Sequence, residues 1–291
     1  MRKQHSLVIA MSHLRKRTAC AVALFSLLPA QCVQAGEESS FARLHKDMAA
    51  GEAVIWYLHH AGWAVKTRNH LLVFDYWPET RAPGNPSLDN GFVYPEEIKD
   101  LKVTVFVSHA HDDHFDPAIL AWQKSVPDIH YVFGWPADEG KGHMILAEDH
   151  ARTTMDGLEI QTIHHRFDGI PEAAFLVQAD GLAIYHSGDH ACSADAPNAA
   201  FHGNIDYLSG LAPFVDLAFI SIFCRRDGSW VNSGDRYTME KLRPRRLFPM
   251  HSGGYEKEYR QFAEAAAKLN IPITVLAAGR RGEPFVYRRD R

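Results

Sequence analysis

Ser108-His109-Ala110-His111-Asp112-Asp113-His114-Phe115-Asp116 crowds three imidazoles and several carboxylates into one short segment. Imidazole and carboxylate are borderline donors that suit Zn²⁺ and also accept Fe or Mn. His109, His111, Asp113 and His114 lie too close in sequence to surround one ion with tetrahedral geometry. They can be divided between two neighbouring ions. A plain polar surface loop would also tolerate such residues, but it has no need of this spacing. The chain is rich in histidine, with 18 in all.

The segment follows Val103-Thr104-Val105-Phe106-Val107, a run of β-branched and aromatic residues that reads as a buried strand. A loop at the end of such a strand holds its side chains at a fixed sheet edge. Further strands are expected at Val54 to Leu58, ending at His59-His60, and at Leu71 to Phe74, ending at Asp75. Others are expected near 130–133 and 153–155, at Leu158 to Ile163, Ala173 to Val177 and Leu182 to Tyr185, and at Leu217 to Ile222, Leu247 to Pro249, Ile273 to Leu276 and Phe285 to Tyr287. Asp156-Gly157 and Asp180-Gly181 are hairpin turns. Helices are expected over 41–50, from Asp116-Pro117 to about Lys124, at Tyr237 to Leu242 and over 255–268, with a Pro/Gly/Asn-rich loop over 78–92. Hairpins outnumber strand–helix–strand units. That predicts an α+β protein of mixed sheets covered by helices, not a doubly wound parallel sheet.

His-x-His-x-Asp-His after a hydrophobic strand resembles the metallo-β-lactamase superfamily. Later motifs fall in that family's order. Tyr185-His186-Ser187-Gly188-Asp189 resembles its strand–turn–Asp motif, and Pro249-Met250-His251-Ser252-Gly253-Gly254 its last His motif. Phe74-Asp75 resembles the early strand-end Asp that orients the His loop. Leu58-His59-His60-Ala61-Gly62 resembles the Gly-His-Ala turn of the ascorbate-6-phosphate lactonase-like branch, with His59 in place of the Gly.

The resemblance implies a four-layer αββα sandwich and a metal-dependent hydrolase with two ions, zinc by preference. His109 and His111 would hold the first ion with a third His. Asp113, His114 and His251 would hold the second, and Asp189 would bridge. Two residues compete for the third His: His164 and His165. Alternation puts His164 on the face of Leu158 and Ile160 and His165 on the other, and a turn beginning there could present either; His165 is slightly favoured because it lies nearer the loop mouth. If neither serves, the first position must recruit another donor. Asp113 would also steer the nucleophile's proton, and His190 could touch substrate. His60 reads as a core histidine or a pocket-lining one, and His186 as packing. Two cations a few ångström apart lower the pKa of a shared water toward about 7, for attack on a carbonyl or phosphorus.

Composition narrows the substrate. Residues 1–35 hold five Lys/Arg and no acid, which leaves 26 Lys and Arg against 35 Asp and Glu, a net charge of about −9. Such a chain has no global attraction for nucleic acid. A small-molecule ester, lactone or phosphoester is the expected substrate. A β-lactamase-type amide hydrolase and a non-catalytic metal- or ligand-binding protein are the alternatives. Trp63, Tyr76, Trp77, Tyr94 and Phe115 are candidates to line the cleft. Arg225-Arg226 and Arg243-Pro244-Arg245-Arg246 are candidates to bind anions, or are simply solvated. Family relatives often self-associate, so a homo-oligomer is compatible.

The N-terminus carries a secretory signal. Arg15-Lys16-Arg17 is its basic part, residues 19–29 its apolar core, and Val33-Gln34-Ala35 its cleavage site. Met11 could be the true start. The apolar run is shorter than the roughly 20 residues that span a bilayer, which disfavours a retained anchor. Gln31 disfavours lipidation at Cys32. A single exported domain over 36–291 is expected, periplasmic or secreted, without stable membrane insertion. Cys192 and Cys224 remain and could pair there.

Overall fold

Val54-Ile55-Trp56-Tyr57-Leu58 is apolar at every position, so neither face of that strand can meet water. In the computed structural model it lies inside β1 (Glu52–His59), and every residue of that strand but Glu52 is buried. Residues 38–140, 142–167, 169–191, 199–223 and 229–289 are described, all within one compact unit over 32–291. The segment expected to be a signal, and Cys192 and Cys224, lie outside the described residues. Among the described residues no helix is long and apolar enough to cross a membrane.

Two seven-stranded sheets repeat one plan. The first runs β14 (Pro284–Arg288), β1, β2 (Gly62–Lys66), β3 (His70–Phe74), β4 (Lys102–Val107), β5 (Ile129–Phe133) and β6 (Met144–Ile145). The second runs β13 (Thr274–Val275), β12 (Arg246–Met250), β11 (Leu217–Ser221), β10 (Leu182–His186), β9 (Ile170–Ala179), β8 (Leu158–Phe167) and β7 (Arg152–Met155). In each, antiparallel pairs give way to parallel ones: at β3–β4 in the first sheet and at β10–β11 in the second. The expected turns are present, with Asp156, Gly157, Asp180 and Gly181 all in the left-handed region that such two-residue hairpins need.

The sheets meet through aromatic residues. Trp63 lies 4.9 Å from Phe219 and 5.1 Å from Phe248, and Phe106 lies 5.3 Å from Phe175, ring centre to ring centre. Ile119 and Trp122 of a 3₁₀ turn over Pro117–Lys124 pack with Val103, Val105 and Val107 on the outer face of the first sheet. The short helices α1 (Ser40–Leu44) and α2 (Pro95–Ile98) add Leu44 and Ile98 to that layer. Helices α3 (Ala199–Leu211), α4 (Ser233–Leu242) and α5 (Lys257–Ala266) cover the second sheet. This is the expected sandwich of two sheets between helical layers.

Several elements differ from expectation. The helix expected over 41–50 stops at Leu44, where tertiary bonds fix it: Arg43 Nη1 donates to Asp89 Oδ1 at 2.9 Å. The turn after Asp116 is wound as 3₁₀, although Asp116 caps it as expected by accepting from Ala118 N–H at 2.8 Å. β2 and α3 were not anticipated. The strands at 158–163 and 173–177 run on to Phe167 and back to Ile170, so that β8 and β9 form a long hairpin.

Candidate metal centre

Asp75 organises the His loop. It follows β3, beside the end of β4, with φ +40. One carboxylate oxygen accepts the Ser108 N–H at 2.7 Å, and the other accepts the Ser108 Oγ–H at 2.7 Å. That second oxygen also lies 2.7 Å from His114 Nδ1. Ser108 Oγ, its proton committed to Asp75, accepts from His109 Nδ1–H at 2.9 Å. Both imidazoles therefore keep a proton on Nδ1 and aim Nε2 into the site. Gly188 must lie close against this loop: a Cβ there would stand 2.7 Å from the Ser108 Cβ.

Two groups of donors result. His109, His111, Glu172 and Asp189 form the first, and Asp113, His114 and His251, with His60 beside them, the second; within each group the donor atoms all lie within 4.8 Å of one another. In the first, His109 Nε2 is 2.9 Å from His111 Nδ1 and 3.7 Å from Glu172 Oε1. Asp189 joins the two. Its Oδ1 is 3.2 Å from His114 Nε2 and 2.9 Å from His251 Nε2, while its Oδ2 is 4.0 Å from His109 Nε2.

Burial and charge act against each other here. Burial, reinforced by His114, pushes His109 down to about 3, so it is a neutral lone-pair donor. Burial would also lower His114, but the Asp189 and Asp75 carboxylates outweigh it and hold the ring charged well above its ordinary value. Asp189 is depressed despite its burial because His114 and His251 face it. Asp113 is likewise depressed: burial opposes this, and His60 and His114 overcome it. Asp113 and Asp189 thus stand ionised. His114 Nε2, His251 Nε2, Asp189 Oδ1 and both Glu172 oxygens are buried without a hydrogen-bond partner. Buried polar atoms normally have partners, and a cation would supply them. The residues fit divalent metal.

His60 stands beside the second group in a different role. Its Nδ1 accepts the Gly253 N–H at 3.2 Å, so its ring proton sits on Nε2. That nitrogen faces Asp113 Oδ2 at 3.2 Å. His60 therefore turns a protonated nitrogen, not a lone pair, toward Asp113. Tyr57 and Tyr259 buttress this corner. Tyr57 Oη accepts from His60 N–H at 2.9 Å, Tyr259 Oη accepts from Ser252 N–H at 3.0 Å, and the two hydroxyls are 3.2 Å apart. His60 and His251 both adopt positive φ, 49° and 75°, a cost sustained by the surrounding bonds.

Most sequence-predicted residues are gathered: His109, His111, Asp113, His114, Asp189 and His251. His164 is not. Its Nε2 pairs with the Leu146 carbonyl at 2.8 Å, which corrects its candidacy as a ligand. His165 does face the site, but its Nε2 is 2.7 Å from Glu172 Oε2, and Glu172 stands in the donor group where a third His was expected. His190 is displaced from the reacting edge: it is buried, stacked on Phe201 at 4.6 Å, and 5.1 Å from the His165 ring. Burial keeps its ring neutral. His186 packs on Phe74 as expected. Of the candidate cleft aromatics, Trp77 alone among those described stands at the site, 5.6 Å from His60; Trp63 is core, and Tyr76 packs on Trp122. Phe115 packs on Trp135, and Tyr94 is exposed. Arg243 and Arg246 bond carbonyls, and Arg245 lies over Phe214, so this run is structural. Arg225 and Arg226 lie outside the described residues.

Glu172 was missed because a lone acid in an apolar strand looks like a solvent-facing residue. A signal existed. Asp168-Gly169 is a two-residue hairpin dipeptide, and counting back from it sets residue 172 opposite residue 165, the register observed.

Residues 54–251 match the β-lactamase superfamily domain. The chain belongs to the metallo-β-lactamase superfamily. Among relatives in this superfamily, a UPF0173 metal-dependent hydrolase of Thermococcus kodakarensis is 25% identical over 209 residues, covering 67% of this chain and 82% of its own. Another, from Methanosarcina barkeri, is 24% identical over 257 residues, covering 79% and 97%. Igni18, a metallo hydrolase of Ignicoccus hospitalis, shares the fold with a TM-score of 0.58 at 17% identity, covering 82% of this chain and all of its own. The superfamily member described here is a metal-dependent hydrolase with a candidate His/Asp metal site.

Proposed function

We propose that this hydrolase is exported and uses two divalent ions, zinc by preference, against a small-molecule ester, lactone or phosphoester. Asp189 carries the reading, because its two oxygens face different donor groups. Divalent ions there would supply electrophilic activation of water and of the bond attacked. His109 and His111 would hold one, and Asp113, His114 and His251 the other. Asp75 and Ser108 keep Nε2 of His109 and of His114 aimed inward before any ion arrives. Asp113, with His60 Nε2 at 3.2 Å from its Oδ2, is placed to take up a proton near the attacked bond.

The His60-Ala61-Gly62 turn supports the lactonase-like branch, and so an ester-type bond. A cavity of about 280 Å³ lined by Ala147, Asp149, His164, His165 and Pro171 opens against this end of the sheets and suits a small substrate. A larger one of about 400 Å³ lies at the opposite strand ends, by Gly157 and Asp180, away from the donors. The basic, apolar and small-residue order of residues 1–35 supports export. The acidic remainder argues against a nucleic-acid substrate.

The test is the metal content of the purified chain beside an Asp189→Ala, His251→Ala double variant, followed by a screen of lactones, phosphodiesters and β-lactams. About two ions per chain, lost in the variant, and turnover of an ester-type substrate are expected. A chain that takes up no metal on titration would sink the proposal. Turnover of β-lactams alone would redirect it to amide bonds.

A further inference from the structure

Glu172 is fully buried, in the middle of the donor region, on a strand whose following residues are Ala173, Ala174 and Phe175. An ionised carboxylate in such a place needs a partner. Neither of its oxygens makes a well-formed hydrogen bond. His165 Nε2 is 2.7 Å from Oε2, yet neither His165 nitrogen has a hydrogen-bond partner. Glu172 Oε1 points the other way, toward His109 Nε2 at 3.7 Å. Donors that share one ion at the usual metal–ligand distance of about 2.1 Å lie roughly 3–3.5 Å apart. The donor atoms of His109, His111, Glu172 and Asp189 lie within 4.8 Å of one another, a little wider than that spacing, and His165 is not part of the group.

We propose that Glu172, not a third histidine, is the remaining protein ligand of the first metal position, with His165 outside it as its positioning residue. The inference rests on the metal-dependent reading and departs from the ligand set that the superfamily resemblance implies. Two strands explain the geometry. His165 and Glu172 are directly opposed in the β8–β9 register, so their side chains leave the hairpin on one face. The carboxylate is the inner of the two: His165 is one-fifth exposed and lines the 280 Å³ cavity, whereas Glu172 is closed off from water. The chemical consequence is a harder, more negative first position. With Glu172, three carboxylates rather than two face the ions, which shifts preference toward oxygen-seeking metals such as Mn²⁺ relative to Zn²⁺.

The full chain, stripped of metal, is titrated with Mn²⁺ and Zn²⁺ separately and in competition. Bound metal is counted by plasma mass spectrometry and Mn²⁺ by its paramagnetic resonance, with folding checked by circular dichroism. Wild type is expected to take two ions. Glu172→Gln should keep one and bind the other at least about a hundredfold more weakly. His165→Ala should keep two. Glu172→His should keep two and move the Mn²⁺-to-Zn²⁺ preference toward zinc by about tenfold or more. If Glu172→Gln does not fold, the His165→Ala count and the Glu172→His preference decide. Loss of one ion from His165→Ala with two retained by Glu172→Gln would overturn the assignment and make His165 the ligand. A wild-type chain that binds no ion at all would overturn the metal reading beneath it, a separate and recognisable outcome.

Discussion

The two halves of the metal centre are held in opposite ways. Around Asp113, His114 and His251 the donor tips lack partners too, but the groups behind them are tied by protein hydrogen bonds: Asp75 to His114 and Ser108, Tyr57 to His60, Tyr259 to Ser252. Around Glu172 and His165 the strands supply position, but the polar atoms face each other without hydrogen bonds. One half is built before an ion arrives, and the other is completed by it. Preorganisation and dependence on metal are therefore separable in one site, and the contrast can be broken from either side.

The largest effect is expected from the prebuilt half. Asp75→Ala leaves the Ser108 N–H and the His114 Nδ1–H buried without an acceptor, and should cost about 3–5 kcal/mol of stability. The same change should weaken metal binding by roughly 10–100-fold, read by denaturant unfolding and metal titration. Next comes removal of metal by a chelator. An ion present at about a thousand times its Kd stabilises by about 4 kcal/mol, so the melting temperature should fall markedly. Amide exchange should show the loss concentrated at the β8–β9 hairpin while the Asp75 loop stays protected; equal loss at both would erase the contrast.

Tyr259→Phe should cost about 1–2 kcal/mol, since it removes the hydroxyl that accepts from Ser252 and touches Tyr57. His164→Ala is the smallest: metal content unchanged, because its Nε2 is spent on the Leu146 carbonyl. A lost ion in that variant would return His164 to the ligand set.

The pH dependence follows from His114. Its folded pKa lies above the ordinary 6.5, so in the metal-free protein its contribution to stability is complete below 6.5 and lost as pH rises through the folded value. An ion must displace that proton. Metal affinity should thus rise with pH through the same range, which titration calorimetry at several pH values would show.

What was readable in the sequence follows the same division. The Asp75 half was legible because its donors lie within a few residues of apolar strand ends, and each motif signals a local turn. His251, far along the chain, was found because Ser-Gly-Gly follows it directly. The other half depended on pairing across a hairpin. His164 and His165 are neighbours that no local rule separates; the strand pleat does, and it needed the register. Glu172 gained its meaning only from what faces it across the strands. His60 depended on a tautomer fixed by the Gly253 amide, a contact between residues at opposite ends of the chain. The sheets themselves were largely visible, since their strands are apolar runs. α3 was not, because Ala199 to Leu211 carries glycine and polar residues that weaken the helical pattern.

β14 pairs with β1, so one of the first strands of the chain waits for one of the last. Until Pro284–Arg288 docks, a long apolar strand keeps one open edge, and that edge is a template for other chains. Closure of this kind is slow, since it joins distant segments. During synthesis and refolding the molecule therefore passes through a sticky stage that ends only with its final strand. Truncation before Pro284 should leave the metal donors intact in sequence yet give a product that aggregates, so its yield would be governed by self-association rather than by loss of chemistry.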